Sequence, residues 1–158
     1  MKTLLIVISF IIVFFLFGFY ILAQQSKSPP ELGLLNGKLR PCLHASNCIN
    51  TLDASNIESF EYKSKPNQTL SSLLPALLPR VIKSVEIMGG TVEQQVDNYL
   101  WATFRSPLFG FVDDVEFLID LESQQIHIRS ASRVGRSDFS ANRKRIEALR
   151  QAFMATEN

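Results

Sequence analysis

Residues 109–126 carry Asp113, Asp114, Glu116, Asp120 and Glu122 with no lysine or arginine among them. Residues 127–158 reverse the balance, setting Arg129, Arg133, Arg136, Arg143, Lys144, Arg145 and Arg150 against Asp138, Glu147 and Glu157. Carboxylates this close to a run of guanidiniums are suited to three kinds of chemistry. They pair into a lattice, at ~0–1 kcal/mol per exposed pair. They line a polar groove, the usual form of a ligand site. Or Asp113, Asp114 and Glu116 act as acid and base, although no spacing here fixes a nucleophile or a substrate. Pairing is the first expectation and a groove the second. Arg129, Ser130, Ser132 and Arg133 also alternate guanidinium and hydroxyl groups toward a helix start near Asp138, which suits a phosphate or carboxylate. An acidic group at that helix start repels anions. The competing reading has Asp138 cap the helix while Arg133 and Arg143 pair with Asp113 and Asp114.

Cys42, His44 and Cys48 form C-x-H-x3-C. Three readings stand: a disulfide closing a short loop, worth ~2–3 kcal/mol; three of the four ligands that structural zinc needs, with His127 elsewhere; or free thiols. Closely spaced cysteines that persist as a disulfide imply an oxidising compartment. With only His44 and His127 available as bases, a Ser-His-Asp arrangement has no support. Gly89-Gly90 reads as a turn because no Lys-Ser/Thr follows it. Asn67-Gln68-Thr69 fits a glycosylation sequon. No cofactor and no resident metal are expected.

The elements that position these groups begin with Leu4–Ala23, twenty residues without a charge. As a helix this run is ~30 Å long, the thickness of a hydrocarbon core. A cleaved secretory signal is the alternative, but its apolar region runs only ~7–15 residues and ends on small side chains. Here Ile21 stands where a small residue is wanted, and Phe19 and Tyr20 fit an aromatic interface belt. An uncleaved anchor is therefore expected over 1–23. Basic residues fall on both sides of it, so the cysteine pair sets the topology: N-terminus cytoplasmic, remainder in a periplasm or other extracytoplasmic space. Secretion after cleavage is the alternative.

Residues 24–37 read as a Pro/Gly-containing linker, and 38–155 as the domain. Ile57, Phe60 and Tyr62 suggest a short edge strand. Leu70, Leu73, Leu74, Leu77, Leu78 and Val81 form a helical stripe, started by Ser71 or Ser72 and ended or kinked at Pro79. Four strand-like runs follow: Thr91–Val96, 100–105, 111–119 and Ile126–Arg133. If Phe117 pairs with Ile128, Glu116 lies beside Arg129; a slip of two sets Asp114 beside Arg133. Val112 falls on the polar face. A last helix spans Asp138–Met154 with Phe139, Ile146, Leu149 and Phe153 inward. The fold class is α+β: a transmembrane helix, then a four-stranded mainly antiparallel sheet with helices before and after it, packed on one face.

Removing Lys2 from the 16 basic residues leaves 15 against 15 acidic ones beyond Ala23. Such a neutral domain is unsuited to nucleic acid. Three separated blocks, PCLHASNC (41–48), FGFVDDVEF (109–117) and IRSASRVGRSDFSANRKRIEALR (128–150), resemble the family known as domain of unknown function 1499, over roughly 38–152. The resemblance implies attention to Cys42, Asn47, Cys48, Asp113, Asp114, Glu116, Arg129, Ser130, Ser132, Arg133, Gly135, Asp138, Asn142, Arg143 and Arg145. Leu43 and Ala45 stand where the family usually has proline, and Ser140 where it usually has glycine. No activity comes with the family. The reading is a membrane-anchored, non-catalytic binding or structural module of the cell envelope. The alternatives are an envelope enzyme using Asp113, Asp114 or Glu116, and a binder of anions or lipid head groups using Arg129, Arg133 and Arg143.

Overall fold

The computed structural model describes residues 1–53, 57–63 and 69–156. The chain begins with α1 (Lys2–Gln25) and a two-stranded hairpin, β1 (Leu34–Leu35) with β2 (Lys38–Leu39). β3 (Cys48–Asn50), β4 (Phe60–Glu61) and α2 (Leu70–Ile87) follow. A meander of β5 (Thr91–Val96), β6 (Tyr99–Arg105), β7 (Val112–Asp120) and β8 (Gln125–Ser132) leads into α3 (Ala141–Ala155). All pairings are antiparallel, in the order β3-β8-β7-β6-β5, with β4 also on β8. The α+β class is as expected. The sheet has six strands rather than four, because the short β3 and β4 cover the free edge of β8. The sequon at 67–69 lies largely outside the described residues.

One sheet face packs on α2 and α3. Leu100, Ala102 and Phe104 from β6, Val115, Phe117 and Ile119 from β7, and Ile126 and Ile128 from β8 meet Leu73, Leu77, Val81, Val85, Ile146, Leu149 and Phe153. α2 continues through Pro75 and Pro79 to Ile87, so of the two outcomes expected at Pro79 the helix end does not occur. Each interior proline costs ~3 kcal/mol. Four buried aliphatic side chains at successive i, i+4 positions, Leu73 to Val85, return ~1.5–3 kcal/mol each, which is enough to carry the helix through both prolines.

α3 starts at Ala141, three residues later than expected. Phe139 points outward, 89% exposed, and Phe139 and Ser140 both have left-handed backbone (φ 51° and 64°). The helical stripe that seemed to begin at Phe139 therefore starts only at Ile146.

The second sheet face is also covered, by residues 26–39. Leu39 clusters with Tyr99 and Leu118, and the half-buried Trp101 packs against them. The β1–β2 turn is Asn36-Gly37, both at positive φ (52° and 76°), which is the two-residue turn that matches strand twist. Beneath this strap Val112 is 1% exposed. The tolerance expected of it on an open polar face is thus replaced by burial.

Cys42 and Cys48 are disulfide-bonded, so neither thiolate is available to zinc. The bond closes the loop that enters β3. Replacing both cysteines by alanine is expected to cost ~2 kcal/mol, given so short a loop. Urea midpoints of the parent and the double variant measure it, and intact mass before and after reduction should show no alkylatable thiol in the oxidised chain.

Candidate functional site

Strand alternation sends the expected polar residues to both faces of the sheet. Asp114, Glu116, Arg129 and Arg133 lie under the strap. Asp113, Ser130 and Ser132 face the other way and, with Asp138 and Asn142, form a separate network at the start of α3. The set does not make one continuous face.

The strap-side network is closed. β7 and β8 pair with Phe117 opposite Ile128 and Glu116 opposite Arg129. Arg129 Nη1 donates to Glu116 Oε2 at 2.7 Å. In the same register Asp114 faces Ala131, and Arg133 reaches it diagonally. Its Nε and Nη2 donate to Oδ2 and Oδ1 at 2.8 and 2.7 Å. Both pairings that the sequence offered as alternatives therefore form together.

β6 supplies two further donors. Trp101 Nε1 donates to Asp114 Oδ1 (2.9 Å) and Tyr99 OH to Glu116 Oε1 (2.7 Å). The strap adds Gly33 N–H to Glu116 Oε1 (2.9 Å). Arg133 Nη1 donates to the carbonyls of Ser26 (3.0 Å) and Lys27 (2.9 Å). Ser26 Oγ donates to Ala23 O and accepts the Val112 N–H. Asp114 and Glu116 are 1% and 0% exposed, so these are buried charge pairs and not the solvated surface lattice expected. Burial, and then the Glu116 carboxylate, push the Tyr99 hydroxyl well above its usual range, which keeps it a donor.

The helix-side network centres on Asn142, fully buried. Its Oδ1 accepts from Ser130 Oγ and Arg145 Nη1, both at 2.6 Å. Its Nδ2 donates to Asn47 O, Ser132 Oγ and Asp138 Oδ2. Arg145 Nη2 bonds Asp113 Oδ2 at 2.5 Å. Arg145, and not Arg143, is thus the partner of Asp113. Arg143 lines a cavity of about 350 Å³ with Cys42, Cys48 and Asp53.

Asp138 acts as a cap from outside the helix. Its carboxylate accepts the N–H groups of Ser140 and Asn142 at 2.9 and 3.0 Å. Ser140 sits in left-handed backbone (φ 64°), a conformation that favours glycine, which accounts for the glycine that the family resemblance led one to expect there. Ser140→Gly is expected to stabilise the protein by ~0.5–1 kcal/mol, relief of the left-handed penalty outweighing the added unfolded-state entropy. A rise in melting temperature checks it.

A cavity of about 540 Å³ lies at the opposite end of the strands and is lined by Lys38, Leu52, Leu74, Asn98, Asp120 and His127 among others. Burial lowers the His127 pKa against the opposing pull of Asp120, whose carboxylate lies 3.9 Å from Nε2. The shift favours the neutral imidazole at this position. Among the described residues no group of three or more His, Cys, Asp or Glu side chains is placed to hold a metal ion.

Tyr99, Trp101, Ser26 and Gly33 were missed from sequence. The two aromatics had a readable signal, since they alternate with the core residues Leu100 and Ala102. The strap contacts had none.

These features define an α+β domain on one N-terminal helix long and apolar enough to cross a membrane. It has a single disulfide and separate polar networks on the two faces of an antiparallel sheet. The chain belongs to the family described as protein of unknown function, DUF1499, whose model matches residues 38–153. No curated protein and no solved structure matches it. Ser26, Lys27 and Gly33, which tie the strap to the sheet, precede the matched region.

Proposed function

We propose that the protein is a single-span, membrane-anchored extracytoplasmic module with a non-catalytic binding or structural role in the cell envelope. The observation that carries this reading is the engagement of the candidate carboxylates. Asp114 and Glu116 are buried, with their oxygens held by two arginines, Trp101, Tyr99 and a backbone N–H. Such groups are spent on structure. They fasten the chain leaving α1 to the sheet through Ser26, Lys27 and Gly33. Asp113 is likewise held by Arg145. An acid–base role would need a carboxylate with a free oxygen facing a cleft. An anion site built on Arg129 and Arg133 would first have to displace Glu116 and Asp114.

Retention of α1 is supported by its uncharged run and by its last turn, where Ala23 and Ser26 are buried against the domain. The disulfide favours an oxidising compartment. Fractionation of native membranes with alkaline washing, followed by N-terminal sequencing, tests the reading. The expected result is a wash-resistant chain that still carries Leu4–Ala23. A soluble form starting near Gln24 overturns it.

A further inference from the structure

We infer that the β6–β7 loop, residues 106–111, is a second membrane-contacting surface that places Leu108, Phe109 and Phe111 in the interfacial layer of a lipid bilayer. The inference rests on the reading of α1 as an uncleaved span. The Phe109 ring stacks on Phe19 of α1, with centroids 5.1 Å apart and planes 20° apart, and Phe111 packs edge-on against Phe109 at 6.1 Å. Phe19 lies four residues before the end of the apolar run, ~6 Å along the helix axis. A side chain stacked on it shares its depth. If α1 crosses the bilayer, Phe109 sits where the hydrocarbon meets the head groups, a layer that favours aromatic rings.

The neighbouring Leu108 is 81% exposed. An isolated exposed leucine is ordinary, but this one is fixed beside the membrane helix by the stacked pair. The loop is also built for a water-poor layer. Ser106 N–H donates to Phe111 O (2.9 Å), Gly110 N–H to Ser106 O (3.0 Å) and Phe111 N–H to Ser106 Oγ (3.0 Å). Pro107 brings no N–H. Three of the turn's N–H groups are thus satisfied within it, which lowers the cost of placing it in a water-poor layer. Gly110 adopts φ +70°, which closes the turn. Lys27, just past α1, and Arg105, at the end of β6 and next to the loop in sequence, are both exposed, as cations that meet phosphate head groups would be.

The test uses full-length chain in phosphatidylcholine vesicles, with acyl chains brominated near the carbonyl end for the loop and sheet positions and near the methyl end for the mid-span position, reading the fluorescence that each new tryptophan adds to that of Trp101. Three variants are compared. Phe14→Trp reports the span, Leu108→Trp the loop, and Val96→Trp the far end of the sheet, where Val96 pairs with Tyr99 and is half exposed. Expected is strong lipid quenching of the added emission at positions 14 and 108, and none at 96. Quenching at 14 without quenching at 108 overturns the loop contact and leaves the anchor standing. Absence of quenching at both positions overturns the anchor and the loop contact with it. Quenching at 96 as well overturns a contact confined to this loop.

Discussion

Arg133→Gln is expected to destabilise the folded chain by ~3–5 kcal/mol, because it leaves a buried carboxylate without its countercharge. Asp114 is 1% exposed and takes both of its guanidinium bonds from Arg133, whose side chain is itself 6% exposed. The same guanidinium holds the Ser26 and Lys27 carbonyls, so the substitution also releases the chain leaving α1. Urea unfolding of the full-length chain in detergent, followed by Trp101 emission, measures the loss. The indole donates to Asp114 and so reports on the network directly. The double variant Asp114→Leu with Arg133→Met removes both charges together. It is expected to recover most of the stability, since desolvating an ion pair costs about as much as the pair returns. A cost for Arg133→Gln of ~1 kcal/mol or less would match an exposed pair, and the network would then not be a clamp. Unchanged stability with loss of the phenotype that deletion produces would instead mark this face as a functional site.

Phe117→Ala is expected to cost ~3–5 kcal/mol and Ile146→Ala ~2–5 kcal/mol. Both side chains are fully buried where the sheet meets α3, and each truncation leaves a cavity that a close-packed core fills only partly. Val112→Ala, on the other sheet face, is expected to cost ~2 kcal/mol, the transfer energy of about two buried methylene equivalents. The comparison separates two cores by thermal or urea unfolding. A Val112→Ala cost below ~0.5 kcal/mol, typical of a surface change, would mean that residues 26–39 do not cover the sheet as described. Equal and small costs at all three positions would place the strands in the wrong phase.

Much of the architecture was legible because it rests on local periodicity. An uncharged twenty-residue run reads as a spanning helix by length alone. Period-two alternation in residues 100–105 and 111–133 identified three of the strands and the inward phase of Phe104, Phe117 and Ile128. The cysteine spacing pointed to a short disulfide loop, among other readings, before any geometry was known. The Asn36-Gly37 hairpin turn has a local signal too, although it lies in a segment whose Pro/Gly content reads as a linker. Local rules failed where burial outweighed them. Pro79 looked like a helix end or kink, yet α2 runs on past it to Ile87 with four buried aliphatics on one stripe. Phe139 fitted the helical period but was left outside by left-handed backbone at its own position and the next.

The sequence by itself determined which side chains occur, how they alternate, and that acidic and basic runs adjoin across one turn. It could not say that Asp114 and Glu116 are buried, because an alternating strand shows two faces and not what covers each. Only the tertiary structure decided that. It laid residues 26–39, remote in sequence from β7, over the polar face and converted surface charges into a closed network. Long-range coverage of this kind arises from contacts between segments some 80 to 107 positions apart, a separation at which no local pattern in the chain carries information. The same fold puts Phe109 against Phe19 of α1, a contact across 90 positions that no local pattern announces.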